Sequence, residues 1–470
     1  MGSDAAAAVA GLSKIDAVVT KDDNSNGPDD DAAERIETST TRDDSATSGS
    51  DVGRRDDGRA SAAPGEEGVE TQGVWLSFAP VSTTASEYFD ISMTAVNWLS
   101  TGFLFAFCVA TPFTIYVLHK GGPKPAIITA SVLLLVGNWI RYGGTRVQNY
   151  GVVMFGQILT GFAQPFVPSS PTHYSDLWFT NNGRVAATAI MTLANPLGGA
   201  LGQLIDPFFA PNKGDIPNMV LYISIIATVA SIPSFFIPAA PPTPSSPSST
   251  EHKLDIIPSI KTLFKSPEFI MMLIPYTVYV GLFNSISSLL NQMLSPYGFT
   301  EEEAGLGGAF FTVAGLVAAA ISSPILDRSK KFLLAIKIQS GRAAPYTILA
   351  ILGAASFTLL PVALEYVTEL THPVSPEVTS TILWSGGQLL GGLFIVISDA
   401  LTDGENGGPG SDVPRNMQRA LWFQAVIAMV VMVPPLCLGL FGRREQVKMR
   451  RVEADKVYRE GQRTNGGAVS

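Results

Sequence analysis

Charge is scarce in this sequence. Asp, Glu, Lys and Arg make up 15% of its 470 residues, against about a quarter in soluble proteins. The 31 Lys and Arg residues are spread among loops and the C-terminal end. They form no basic stripe of the kind nucleic acid requires, which excludes that partner. The net charge of −9 comes mainly from residues 1–72, so it marks a tail rather than an acidic binding surface. Cysteine is nearly missing. Cys108 and Cys437 both lie inside apolar runs, which excludes a disulfide framework or metal cluster and reads as small packing residues. Histidine is also rare. His173 and His372 flank apolar segments, where they read as loop residues or pH-sensitive groups, and no second ligand stands at metal spacing. There is no nucleophile elbow, no phosphate-cradling loop and no His-Glu-x-x-His. The chain is therefore expected to be no enzyme, to hold no cofactor or metal, and to draw on a gradient rather than ATP.

Met1–Ala10 lacks a basic n-region, so no signal peptide is expected. Ala6 stands where myristoylation wants Ser or Thr. Residues 1–72 are too polar to bury a core and are expected to be a disordered acidic tail. Within it Ser39, Thr40, Thr41 and Ser45 are either modification or sorting sites or plain linker.

Long apolar runs are what the sequence has in plenty. Crossing a bilayer takes roughly 20 mostly apolar residues. Ten stretches qualify: 93–118, 125–143, 150–172, 185–209, 217–238, 268–293, 303–326, 344–366, 378–401 and 420–441. Hydrocarbon offers no partner to a peptide group, so runs this long must be helices. The expected class is an all-α membrane protein. Gly198/Gly202 and Gly387/Gly391 form G-x-x-x-G pairs suited to close helix approach. Pro112, Pro165, Pro196, Pro233 and Pro361 fall inside segments, where they kink for packing or mark a transport path.

The joints divide the chain. Residues 73–238 form a first transmembrane bundle and 267–441 a second. Between them lies a Pro/Ser-rich cytoplasmic linker, 239–266; residues 442–470 form a basic cytoplasmic tail. Two further segments start like spans and stop: 73–85, with Val74-Trp75-Leu76, and 332–338. Counted as spans, these stubs put Lys120, Lys124, Arg184, Lys253, Lys261, Lys265, Arg328, Lys330 and Lys331 on the cytoplasmic side. Arg141, Arg146 and Lys213 then face outward, as the positive-inside rule prefers. The expected topology is ten full spans plus two truncated helices, the first and ninth, with both termini cytoplasmic.

Several pieces carry a resemblance. They are Asn97-Trp98-Leu99-Ser100; Gly156-Gln157; Trp178-Phe179; Asn195-Pro196-Leu197-Gly198 with Gly202; Ser288 to Met293; and Leu364 to Pro373. Across 73–441 the chain resembles the major facilitator superfamily, in particular the feline leukemia virus subgroup C receptor-related carriers of choline, ethanolamine and haem type, fungal-type members above all. The resemblance implies two six-helix bundles around a central cavity that opens to each side in turn. It implies a loop carrying Asp-Arg after helix 2. Here that loop, His119 to Lys124, lacks the pair, while Asp327 and Arg328 keep it in the second half as candidate gating charges. In resembling choline carriers a helix-1 Trp packs over the quaternary ammonium and a helix-11 Gln lies beside it; Trp75 and Gln388 match those positions. Asn284 stands where those carriers have a Tyr, and Pro196 where they have a Gln, which argues against a choline-specific cage.

Asn195 and Asn291 complete the candidate solute-binding set with Trp75 and Gln388. An indole face attracts a cation, although Trp75 could equally sit in an interfacial aromatic belt, and Gln388 could bond helix to helix. Glu365 and Glu369, at i and i+4, are candidate coupling or gating residues, or interfacial residues whose charges snorkel. Arg141 reads as an interface anchor and Asp206 as a helix terminator. The expected function is secondary transport of a small organic solute, cationic or vitamin-like, by a monomer in the plasma membrane or a vacuolar or other endomembrane. The alternative is a non-transporting receptor or sensor, or an inactive truncated isoform.

Overall fold

A segment in hydrocarbon must satisfy its own backbone, and among the described residues the apolar runs fold as helix. The computed structural model describes residues 73–179, 184–239, 255–329, 360, 363–371, 373–404, 414–431 and 433. The tails 1–72 and 442–470, the stub at 332–338, His372 and Cys437 lie outside the described residues.

The chain enters with one helical turn at 73–76, breaks before Pro80, and resumes as α1, Ser82–Phe89. α2, Met93–Gly121, starts where the Ser92 side chain accepts from Ala95 N and ends at Gly122, whose φ of 76° suits only glycine. α3, Pro123–Arg146, opens on proline, which costs nothing in a first turn. Asn149 then caps α4, Tyr150–Ala163. The single span expected over 150–172 is two helices, because α5, Phe166–Trp178, begins after a break at Gln164 and Pro165. Proline has no N–H to return to the preceding turn, and its ring crowds the carbonyl four residues back. α6 is Arg184–Phe209, and α7, Ile216–Ser231, ends near Pro233.

The joint between the halves ends in a short helix, α8, Ile256–Lys265. α9 is Pro267–Leu294. α10, Glu301–Ser329, has a reciprocal cap: Glu303 N donates to Thr300 Oγ1 and Thr300 N donates to Glu303 Oε2. Residues 363–371 are helical; the rest of the span expected over 344–366 is outside the described residues, apart from Leu360. α11 is Pro376–Ala400 and α12 is Gln418–Val431. The first group packs α3 against α4, α5 and α7, with α2 on α4; the second packs α9 against α11, α10 and α12. The groups meet along α2–α11, α5–α11 and α6–α10.

The surface is inverted relative to a soluble protein. On α7, Ile225, Ile226 and Val229 are 46%, 57% and 62% exposed, while Ser224 and Ser231 are fully buried. Water would favour the reverse; a lipid solvent favours this arrangement. Among the described residues, five helical segments are both long and apolar enough to cross a membrane: Met93–Gly121, Pro123–Arg146, Lys213–Phe236, Pro267–Tyr297 and Pro376–Ala400.

Without a hydrophobic effect between helices, close packing needs small residues. A Cβ on Gly156 would lie 2.7 Å from the Gly137 carbonyl oxygen, so α3 and α4 touch backbone to backbone. Gly156→Val should therefore lower the melting temperature of the solubilised protein by several degrees, since overpacking costs about 1–3 kcal/mol. A Cβ on Gly143 meets nothing within 4 Å, so Gly143→Ala should be neutral or slightly stabilising. Equal melting shifts for the two variants would contradict this packing.

Candidate functional site

Polar side chains concentrate where the two groups meet. α2 and α11 run antiparallel and pair from one end to the other. At one end Thr94 Oγ1 and Asn97 Nδ2 each donate to Asp399 at 2.8 Å. Asn97 also exchanges amide bonds with Gln292 of α9, at 3.3 and 2.5 Å. Midway, Thr111 Oγ1 donates to Ser385 Oγ at 3.1 Å, and Cys108 Sγ to the Ser385 carbonyl at 3.5 Å. At the far end Glu377 lies between two imidazoles: His119 Nδ1 is 3.3 Å from its Oε1 and His173 Nδ1 is 3.2 Å from its Oε2. The second contact, α6–α10, is joined by a bridge to α9, where Gln203 Nε2 donates to the Ser287 carbonyl at 3.2 Å.

The first stub lies inside this seam. Trp75 is 2% exposed and stacks on Phe103 with centroids 6.3 Å apart. It clusters with Leu289, Met293, Ile395 and Met417 of the second group. It is therefore not a residue of the interfacial belt. Gly198 and Gly202 serve the same end: a Cβ on Gly202 would sit 3.3 Å from the Gly73 carbonyl oxygen. The other expected glycine pair also packs, with Gly387 against Val280 and Gly391 against Asn284 of α9.

Asn291 Nδ2 donates to Ser82 Oγ at 3.0 Å and to Glu301 Oε1 at 3.2 Å. Glu301 also accepts from Thr83 N and Thr84 N, at 2.9 and 3.2 Å. An acid on α10 thus caps the first turn of α1, satisfying N–H groups the helix cannot. Gln388 accepts from Asn284 Nδ2 at 2.7 Å, and Asn195 from Gln164 Nε2 at 3.3 Å. The four solute-site candidates are thus all buried, but among the described residues no hydrogen bond joins one to another. Several buried atoms at the seam have no hydrogen-bond partner among the described residues, among them Gln157 Oε1, Gln203 Oε1, Asn291 Oδ1, Gln424 Oε1, the Ser287 and Ser288 hydroxyls and the donor Trp75 Nε1.

Residues 71–402 match the family described as Major Facilitator Superfamily. The chain belongs to the major facilitator superfamily. Its members are non-enzymatic carriers, and this one groups with the feline leukemia virus subgroup C receptor-related solute carriers. It is 30% identical to "Solute carrier family 49 member A3" of Danio rerio, over 70% of this chain and 74% of that protein. It is 26% identical to "Choline/ethanolamine transporter FLVCR2" of Homo sapiens, over 72% of this chain and 70% of that protein. The fold matches that of the human organic anion transporter MFSD10 (TETRAN), with a TM-score of 0.58 at 12% identity, over 80% of this chain and 99% of that one. The major facilitator fold and the apolar helices make this an integral, multi-pass membrane protein.

Against that family pattern, the charged candidates divide. Glu365 is buried and Glu369 half-buried, both on the helical stretch 363–371. Asp327 and Arg328, expected in a loop, form part of the last stretch of α10; their side chains are outside the described residues. Arg141 is not an interface anchor. It is fully buried, with Nη1 donating to Asn138 Oδ1 at 2.9 Å, Nη2 donating to Ser77 Oγ, and its guanidinium 5.2 Å over the Phe78 ring. Nor does Asp206 end a helix: α6 runs on to Phe209, and Asp206 is buried as the acid whose charge acts on Arg141. Arg141 thereby pins the stub to the first group. His173 belongs to α5 rather than a loop.

Asn97 and His119 were read in the sequence only as parts of a matching piece and a loop, and Glu377 and Asp399 were not singled out. Their one signal is position: each is a polar group in the first or last two turns of a span. Arg141 and Asp206 are both buried and their opposite charges offset one another, so neutralising one leaves the other uncompensated in a dry interior. Arg141→Leu should therefore sharply reduce the yield of folded protein, and Arg141→Leu with Asp206→Leu should recover part of it. Equal loss in both variants would show that Arg141 acts alone.

Proposed function

We propose that this chain is a secondary transporter that carries a small organic cation along the seam by alternating access. One observation carries the reading. The buried acceptors Gln157 Oε1 and Asn291 Oδ1 have no hydrogen-bond partner among the described residues. A buried acceptor left unpaired costs about 1–3 kcal/mol, and it is retained where a ligand's donors satisfy it. The acceptors suit a solute bearing ammonium or hydroxyl hydrogens. The relative named for choline and ethanolamine carries solutes of that chemistry. Trp75 offers a face for the cation, and Gln388, Asn195 and Asn291 orient the polar groups.

In this reading the chain works as a monomer with both termini cytoplasmic. Lys120, Lys124 and Lys265, at the joints beside α2, α3 and α9, then face the cytoplasm, as do the candidate charges Asp327, Arg328, Glu365 and Glu369. The membrane is the plasma membrane or a vacuolar or other endomembrane. A second reading, a non-transporting receptor or inactive truncated form, is favoured by the first segment. Within the described residues it makes one turn at 73–76 before breaking ahead of α1, which is short of a spanning helix.

Uptake of radiolabelled ethanolamine and choline into cells expressing this chain separates the two. Saturable uptake above mock-transfected cells is expected, with kcat/KM about 10-fold or more lower in Gln388→Ala, the effect of losing one hydrogen bond to a charged group. A thermal shift with either amine but no flux would favour the receptor. Neither flux nor shift would overturn the cation assignment.

A further inference from the structure

The contact between His119, Glu377 and His173 lies apart from the central acceptors. Glu377 is 2% exposed, in the first turn of α11 in the second group. Each of its oxygens faces an imidazole of the first group, from the last turn of α2 and from α5. The two histidines are themselves only 14% and 15% exposed. Next to them Thr172 Oγ1 and Ser380 Oγ lie 3.2 Å apart. The contact bridges the two groups at the end where α2 stops and α11 begins, and these groups must part there if that end is to open. The charged groups facing His119 are Glu377 of α11, Asp255 at the start of α8, 3.9 Å from Nε2, and Lys120 on its own helix. His173 faces Glu377.

We propose that His119, Glu377 and His173 form a proton-operated latch that holds this end of the transporter closed in acid and frees it as pH rises. The inference rests on the alternating-access reading for its consequence, but its chemistry is local. Imidazole titrates near neutral pH. Protonating the His119 ring turns its contact with the Glu377 carboxylate into an ion pair in a poorly hydrated site, where such pairing is strong. The opposing Lys120 is on the exposed side of α2, where water screens it. Opening separates His119 from Glu377, so the closed form holds the His119 proton more tightly than the open one. By linkage, protons then favour closure: the ion pair is complete below the titration range and lost above it. Each tenfold difference in proton affinity shifts the closed-to-open ratio about tenfold.

The test is a spin-label distance measurement on the full-length chain in nanodiscs. Labels are placed on Pro125→Cys in the first group and Lys265→Cys beside α9, with Cys108 and Cys437 changed to Ser. From pH 5.5 to 8 the long-distance population should grow about tenfold or more relative to the short one. In His119→Gln with His173→Gln, and separately in Glu377→Gln, the distribution should no longer respond to pH. A distribution that does not change with pH in the parent protein overturns the latch, and so does a full response that survives these substitutions. If the double variant is not monodisperse, the two single histidine variants replace it, each expected to show a reduced response. No solute is needed, so a chain that responds to pH yet carries neither choline nor ethanolamine would refute the transport assignment and leave the latch standing.

Discussion

A polar group in hydrocarbon must find a partner inside the protein, and the architecture follows from that demand. The apolar faces of the helices, such as Ile225, Ile226 and Val229 of α7, gain nothing by leaving lipid for one another. The two groups are instead joined by what lipid cannot satisfy. Asn97 with Asp399 and Gln292, Thr111 with Ser385, and Glu377 with His119 form a line of hydrogen bonds down α2 and α11, and His173 lies 3.2 Å from the same carboxylate. Glycines at the helix crossings allow backbones close enough for such short side chains to meet. Even Arg141 obeys the rule, spending its charge on Asn138, Ser77 and the Phe78 ring to hold the first segment in place.

The same demand makes the seam separable. At its two ends the partners are mostly hydroxyl, amide, carboxylate and imidazole groups near the helix termini. Water can replace each of these bonds when an end parts, at modest cost. Midway the bonds are those of Thr111 with Ser385 and of Asn284 with Gln388, set between long apolar helices. In the alternating-access reading we propose, an end that opens exchanges protein hydrogen bonds for hydration, while the buried acceptors stay available to a solute with matching donors. Proline breaks such as the one at Gln164 and Pro165 let a segment bend without tearing its neighbours' hydrogen bonds.

How far the sequence spoke depended on the range of each interaction. Helices were legible from apolar length, because a span is a local property; α2, α3, α9, α10 and α11 lie within a few residues of their expected bounds. Gly198/Gly202 and Gly387/Gly391 were legible as packing pairs for the same reason. The split of α4 from α5 was hidden, because Pro165 sits in an unbroken apolar run and several such prolines, Pro112 among them, stay within continuous helix. Arg141 looked like an anchor because its partners are Ser77, 64 residues away, and Asp206 on another helix. Glu377 pairs with His119 across 258 residues, and no local pattern marks such a contact. Trp75 was singled out by resemblance, yet only the fold distinguishes a seam tryptophan from one at the lipid interface.

Cys108 supplies the most direct measurement. Its thiol lies mid-seam against Ser385 and is half-buried. With Cys437 changed to Ser, sealed vesicles of each orientation are treated with a membrane-impermeant thiol reagent. If the two groups part at each end in turn, Cys108 is modified slowly from both faces, and a transported amine changes both rates. Labelling from one face alone under every condition, or none from either, would contradict a seam that opens alternately.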